Sequence, residues 1–84
     1  MAIKMKIKVK IADRERRRLE IKTEFIRLDA ALKLANAVST GGQAKFVIQD
    51  SLVKVNNEVC LQRGKKLREG DFFEYNRVIY EVVR

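Results

Sequence analysis

Apolar and charged residues alternate strictly at the start of the chain. Residues 3–11 read Ile-Lys-Met-Lys-Ile-Lys-Val-Lys-Ile. This period of two predicts a β-strand with one buried face and one lysine face. Residues 12–17 are almost entirely polar and predict a connecting loop, and the alternation resumes at Leu19 and Ile21. We therefore predict a β-hairpin over residues 3–25.

A change of period marks the next segment as helical. Its apolar residues recur at the spacing i, i+3, i+4 and i+7, and they are Leu28, Ala31, Leu32 and Ala35. One face of a 3.6-residue helix has this spacing, so the pattern predicts an amphipathic helix. We expect this helix to end near Ala37 or Val38.

A second short helix starts with a pair of glycines. Thr40 and Gln43 are three residues apart, which fits the capping box that opens many helices. The apolar face comes from Ala44, Val47 and Ile48. We expect this helix to stop near Asp50-Ser51.

Short strands fill the rest of the chain. Val53 and Val55 alternate with Lys54, and Asn56-Asn57 suits the positive φ angles of a tight hairpin turn. Val59 and Leu61 continue on the returning strand.

A last hairpin is predicted at the C-terminus, from Phe72–Tyr75 and Val78–Val83 around Asn76-Arg77, after a turn at Gly70-Asp71. Strands at both ends with two helices between them indicate an α+β fold. We predict two packed short helices against a small antiparallel sheet, with an N-terminal β-hairpin. At 84 residues the chain forms one small domain.

The composition favours a polyanionic partner. The formal net charge is +8, and a basic surface captures nucleic acids electrostatically. There is no histidine, which removes the usual general base, and we expect no enzymatic activity. With one cysteine, Cys60, the chain forms no internal disulfide and is a poor zinc ligand set, so we expect no metal or cofactor. We also expect no signal peptide and no membrane span, and a cytoplasmic location.

Four short motifs resemble one known family. They are Arg27-Leu28-Asp29-x-x-Leu32, Ala44-x-x-x-Ile48, Val53-x-Val55-Asn56 and Leu67-x-x-Gly70-Asp71, in this order. Together they resemble the ribosomal-protein-S-four-type RNA-binding domain, also called the alpha-L RNA-binding motif. The run Arg63-Gly64-Lys65-Lys66-Leu67 is most similar to the small stand-alone bacterial members.

The resemblance implies a helix pair on a small sheet that presents a basic face to structured RNA, with ribosomal RNA as the expected partner. It divides the single domain, residues 1–84, into an N-terminal hairpin (1–25), the core motif (27–75) and a terminal strand (76–84). Such domains occur in ribosomal proteins, RNA-modifying enzymes and ribosome-associated factors.

The chain departs from the family pattern at three positions. Where the family often opens its second helix with Ser-Arg, this chain has Thr40-Gly41, so the phosphate contact of that arginine is missing. Ser51 and Asn57 replace two usual glycines, and we expect the fold to tolerate both replacements.

The resemblance and the local chemistry together predict the RNA-binding residues. The start of the second helix offers backbone N–H groups and a positive dipole end to a phosphate. The basic cluster that follows the 59–61 strand neutralises further phosphates. The predicted residues are Arg27, Lys33, Thr40, Gly41, Gly42, Gln43, Lys45, Lys54, Asn56, Arg63, Lys65, Lys66 and Arg68.

Each of these assignments has a structural alternative. Gly41 and Gly42 alternatively only shape the turn between the helices, and the 63–68 cluster is alternatively a solvated loop. Arg27 alternatively pairs with Asp29 or another acid. We expect the phenylalanines to pack in the core rather than to stack on bases.

The N-terminal lysines are a separate question. Residues 1–22 carry a net charge of +6, most of the total. The lysine face of residues 3–11 either contacts phosphates or protects an edge strand from aggregation. Two alternative functions follow: a protein-interaction adaptor that uses this lysine-rich edge strand, or a DNA-binding protein.

Overall fold

The strands form one five-stranded sheet and one two-stranded ribbon. The structure is a computed structural model that describes residues 14–84. Its strands are β1 (Glu15–Glu20), β2 (Ile26–Arg27), β3 (Lys54–Val55), β4 (Glu58–Val59), β5 (Lys66–Leu67), β6 (Phe72–Tyr75) and β7 (Val78–Val83). The sheet has the order β1-β7-β6-β3-β4, and β2 pairs with β5 in the ribbon. The expected α+β fold is confirmed, with two short helices, α1 (Leu28–Leu34) and α2 (Gly41–Gln49).

The N-terminal part of the prediction is corrected by β1. The strand predicted for residues 3–11 lies outside the described residues. The loop predicted for residues 12–17 is wrong from Glu15 onward, because residues 15–17 already belong to β1. β1 pairs in parallel with β7, with Glu15 opposite Val78 and Glu20 opposite Val83. This long-range pairing satisfies the backbone of a segment whose charged side chains locally favour a loop.

Both helices end in the same backbone motif. At the end of α1, the Ala37 N–H donates to the Leu32 carbonyl (2.9 Å) and the Asn36 N–H donates to that of Lys33 (2.9 Å). Asn36 has a φ of 60°, so this is a Schellman motif. The motif stops α1 at Leu34, earlier than the predicted end near Ala37 or Val38.

The end of α2 confirms its predicted boundary. The Leu52 N–H donates to the Val47 carbonyl (3.0 Å) and the Ser51 N–H to that of Ile48 (3.2 Å). Ser51 has a φ of 64°, the left-handed conformation in which glycine is usual. This is the position where we expected the fold to tolerate serine.

Two tight hairpin turns organise the antiparallel strands. Asn56 and Asn57 have φ angles of 50° and 74°, and Asn76 and Arg77 have 55° and 68°. Two successive positive φ angles define the type I′ turn, whose twist matches that of paired strands. The hairpins predicted at both places are confirmed.

The hydrophobic core lies between the helix pair and one face of the sheet. Phe73 and Tyr80 are directly paired across β6 and β7. Their rings stack with centroids 4.9 Å apart. The other fully buried large side chains are Leu28, Leu32, Ile48, Leu67, Val53 and Val82. Both helices and both sheets therefore contribute to one core, which fixes the ribbon against α1.

Candidate nucleic-acid interface

The ribbon presents three cations and one aromatic ring on a single face. In β2 and β5, Ile26 pairs with Leu67 and Arg27 pairs with Lys66. Continuing this register by one residue places Phe25 opposite Arg68. Directly paired side chains share a face. The inner face is therefore Ile26 and the fully buried Leu67. The outer face, here called the ribbon face, consists of Phe25, Arg27, Lys66 and Arg68.

Two of these cations lie over the ring of Phe25. The Lys66 Nζ lies over the Phe25 ring, 4.9 Å from its centroid. The Arg68 guanidinium carbon lies 5.6 Å from the same centroid. Both distances fall within the range of cation–π attraction. Lys66 and Arg68 are exposed and Phe25 is half-buried, so the cluster lies at the surface.

Backbone hydrogen bonds attach the basic loop to the start of α1. The Leu28 N–H donates to the Lys65 carbonyl (2.9 Å), and the Asp29 N–H donates to the Arg63 carbonyl (3.1 Å). The first N–H groups of a helix have no partner within the helix. The loop therefore caps α1 with its carbonyls, and the side chains of Arg63 and Lys65 are exposed.

Arg27 takes part in an ion pair, as one alternative predicted. Its Nη2 lies 3.1 Å from the Asp29 Oδ2, and the two side chains are 55% and 22% exposed. A Cβ added at Gly64 would lie 3.7 Å from the same Nη2. The guanidinium is thus held between Asp29 and the basic loop, with more than half of its surface open to solvent.

The start of α2 carries the predicted cap. Thr40 Oγ1 accepts a hydrogen bond from the Gln43 backbone N–H (3.0 Å), and Gln43 Oε1 accepts one from the Ser39 N–H (2.9 Å). The reciprocal bond therefore reaches one residue before the N-cap, a variant of the capping box. Thr40 and Gln43 have a structural role in this cap.

A groove joins the start of α2 to the ribbon side. It is lined by Arg27, Asp29, Ala30, Lys33 and Gly41. Three of the predicted binding residues, from α1, β2 and α2, thus meet around one depression. Lys45 lies one helical turn after Gly41 and is exposed.

The two glycines at this end are not required by the local geometry. A Cβ at Gly41 would meet nothing within 4 Å, and one at Gly42 would lie 3.9 Å from Thr40 Oγ1. Neither glycine has a positive φ, since Gly70 is the positive-φ glycine among the described residues. The turn between the helices therefore does not account for them, and the helix start is open to solvent.

A second basic region consists of residues of β1 and the residue that precedes it. Arg14, Arg16, Arg17 and Arg18, here called the β1 arginines, are all exposed. Arg14 Nη1 lies 2.9 Å from Glu74 Oε1 and Arg17 Nε lies 2.7 Å from Glu15 Oε2. The hydrogen bond and the charge of Glu15 raise the pKa of Arg17. Arg18 is directly opposite Glu81 on β7.

Comparison with known proteins identifies the family. The family model described as S4 domain matches residues 19–83, most of the chain. The chain belongs to the S4 domain family. It is also 43% identical over 56 residues to a Bacillus subtilis (strain 168) protein named "Probable ribosome maturation protein RlbA". That match covers 67% of this chain and 79% of the relative. The resemblance stated from the four motifs is confirmed, and the match extends beyond residues 27–75.

Two motifs of this S4 domain meet in space. The Asn56 amide donates to Asp71 Oδ1 (3.2 Å) and accepts from the Phe72 N–H (3.1 Å). Asp71 Oδ2 accepts from the Arg68 N–H (2.8 Å). Asn56 and Asp71 therefore fasten the two turns together. A structural role accounts for Asn56, and its contact with RNA stays a prediction.

Lys54 lies apart from the other predicted residues of the S4 domain. It is on β3 with its Cα opposite that of Glu74, so a carboxylate is its cross-strand neighbour. Arg27, Lys33 and Gly41 thus line one groove, and Arg27, Lys66 and Arg68 share the ribbon face. Lys54 belongs to neither set.

The aromatic residues differ from expectation. Phe73 is fully buried, as predicted, but Phe46 on α2 is 63% exposed. Phe46 faces solvent because α2 buries Ala44, Val47 and Ile48, which occupy a different stripe of the helix. Phe25 was missed as a site residue. Its spacing of two from Arg27 was the available signal, but only the ribbon register shows that Lys66 and Arg68 join it.

The described residues lack two other kinds of feature. No helix within residues 14–84 is long and apolar enough to cross a membrane. Within the same residues, there is no group of three or more cysteine and carboxylate side chains placed to hold a metal ion.

Proposed function

We propose that this protein is a non-catalytic RNA-binding protein that binds structured ribosomal RNA through the ribbon side of the domain. Membership of the S4 domain family supports RNA as the ligand class. The name of the Bacillus relative, a ribosome maturation protein, supports a ribosome-related role. We propose a cytoplasmic location on the same basis.

The observation that carries the proposal is the convergence of cations around the ribbon. Lys66, Arg68 and Arg27 share one exposed face. The loop that carries Arg63 and Lys65 is bonded to the start of α1 beside it. Phosphate neutralisation by such a cluster releases counterions and gives binding that weakens as salt rises.

The start of α2 contributes a second part of the proposed surface. The groove between Arg27, Lys33 and Gly41 opens next to the ribbon. The first N–H groups of a helix favour an anion through their hydrogen-bonding capacity and the helix dipole. The open space at Gly41 and Gly42 lets a phosphate approach the backbone closely. In this proposal Lys45 adds a cation one turn along, whereas Thr40 and Gln43 hold the helix start in shape.

A salt series with one triple variant tests the proposal. Purified protein is titrated with a structured ribosomal RNA fragment, for wild type and for Arg63→Ala/Lys65→Ala/Lys66→Ala, with duplex DNA of equal length as competitor. We expect wild type to prefer the RNA. In the triple variant we expect a loss of about 100-fold at 0.1 M salt and a salt slope lower by about 2, because three phosphate contacts are removed.

Two results would contradict the proposed surface. Equal binding of the RNA fragment and the DNA would remove the preference for RNA. A triple variant that binds as tightly as wild type would move the interface away from the 63–66 loop. Circular dichroism of the variant serves as the control for folding.

A further inference from the structure

The ribbon face contains an aromatic ring that the core does not use. Phe25 is half-buried and is not among the residues of the hydrophobic core. Its neighbour on the other ribbon face, Ile26, packs against that core. The contacts recorded for the Phe25 ring are instead with the two cations, Lys66 and Arg68.

We propose that Phe25 is a stacking platform for one unpaired RNA base, with Lys66 and Arg68 binding the phosphates that flank it. This inference rests on the proposed function and adds a specificity to it. The ligand is an unpaired nucleotide next to a structured RNA, rather than the paired backbone alone. Single-stranded RNA is commonly bound in this way, by aromatic rings within a basic surface.

The contacts in the free protein show which groups cover the Phe25 ring. A lysine ammonium 4.9 Å from the centroid and a guanidinium at 5.6 Å occupy the space in which a base would stack. Both cations belong to exposed side chains, so they can leave the ring without disturbing the core.

The relative strengths favour replacement of the cations by a base. Each exposed cation–π contact changes an equilibrium by about two- to fivefold, so the two contacts together account for about four- to 25-fold. Stacking of a base on an aromatic side chain changes binding by about five- to 150-fold. A base that displaces Lys66 and Arg68 from the ring also leaves both cations beside it, where they neutralise the adjacent phosphates.

The strand register of the ribbon keeps Phe25, Lys66 and Arg68 next to one another. Phe25 is the cross-strand neighbour of Arg68 and the diagonal neighbour of Lys66, which are the two closest positions across an antiparallel pair. The buried Leu67 lies between the two cations in sequence and anchors the strand from the opposite face. The platform and its cations are therefore fixed by backbone pairing, and only the side-chain ends need to move.

The test compares an RNA that has bases with one that lacks them. The probes are an RNA hairpin with a five-nucleotide unpaired tail and the same hairpin with abasic nucleotides in that tail, which have equal phosphate charge. For wild type we expect the intact tail to bind about five- to 100-fold more tightly than the abasic tail. For Phe25→Leu we expect this preference to vanish while the affinity for the abasic probe stays unchanged.

Two further variants complete the design. Phe46→Leu is the matched control, since it removes the exposed ring of α2, and we expect it to keep the preference. Phe25→Trp places the single tryptophan of the chain on the ribbon, because the sequence contains none. We expect its fluorescence to be quenched by the intact tail and not by the abasic tail. This variant provides the test if Phe25→Leu fails to fold.

The possible outcomes separate this inference from the proposed function. If Phe25→Leu leaves the affinities for both probes unchanged, the base is bound elsewhere and the platform is overturned. If Phe25→Leu weakens both probes equally, Phe25 only positions the cations, which also overturns it. If neither probe shows salt-sensitive binding to wild type, the proposed RNA-binding function itself fails.

Discussion

The ribbon face and the β1 arginines are both strongly basic, but their charges are compensated differently. On β1, Arg14 and Arg17 have carboxylate partners at 2.9 and 2.7 Å, and Arg18 is opposite Glu81. On the ribbon face, Arg27 is paired with Asp29, whereas Lys66 and Arg68 contact an aromatic ring and form no ion pair with another of the described residues. A carboxylate neutralises a cation, whereas a ring only orients it, so local pairing rather than the count of charges distinguishes a site.

The two regions also differ in how they are held to the fold. β1 pairs with β7 along six residues. The ribbon has two paired positions, and Leu67 is its fully buried residue. The attachment of the ribbon to the fold therefore depends on side-chain packing, whereas the attachment of β1 depends on backbone pairing with β7.

The largest expected effect tests this difference in attachment. We expect Leu67→Ala to lower the free energy of unfolding by about 3 kcal/mol, because a fully buried leucine leaves a cavity that the short ribbon cannot fill. Leu19→Ala, in β1 at the end of the described strand order, should cost less, since its surroundings relax more easily. Urea denaturation of both variants measures the two values. An equal loss would show that the ribbon has no special dependence on Leu67.

The next effect tests the difference in charge compensation. Arg16→Ala/Arg17→Ala/Arg18→Ala removes three positive charges, as many as the triple variant of the 63–66 loop. We expect it to weaken binding of the ribosomal RNA fragment by only about threefold at 0.1 M salt, through the lower net charge. Fluorescence anisotropy at matched salt measures both triples side by side. A loss as large as that of the loop triple would end the distinction between the two regions.

The smallest expected effect tests the same difference in charge compensation by removing a carboxylate instead of arginines. Glu74→Gln removes the carboxylate that faces Arg14 and Lys54. We expect binding of the RNA fragment to tighten by about twofold at low salt and to return to the wild-type value near 0.5 M salt, because an exposed charge acts over a screened distance. Glu24→Gln, which makes the same change of charge before β2, is a useful comparison. If Glu74→Gln binds the RNA fragment with unchanged affinity, the ion pair between Glu74 and Arg14 does not limit RNA binding by the β1 arginines.

Local chemistry explains why several elements were predictable. The capping of α2 by Thr40 and the two hairpin turns depend on residues adjacent in sequence, whose side chains or φ preferences decide the backbone. The apolar spacing of Leu28, Ala31 and Leu32 likewise predicted the buried face of α1. The candidate site was predictable to the level of the basic 63–68 cluster and the start of α2.

What the sequence by itself determined is thus the set of local structures and the sign of the charge. The tertiary structure decided which distant segments meet. It paired residues 15–20 with the C-terminal strand, and it placed Phe25 beside Lys66 and Arg68, more than 40 residues away in sequence. Strand pairing depends on backbone groups that every residue carries, so side-chain patterns give little information about the partner. Tertiary packing also decided the exposure of Phe46, since the packing of the whole helix pair selects the stripe that is buried.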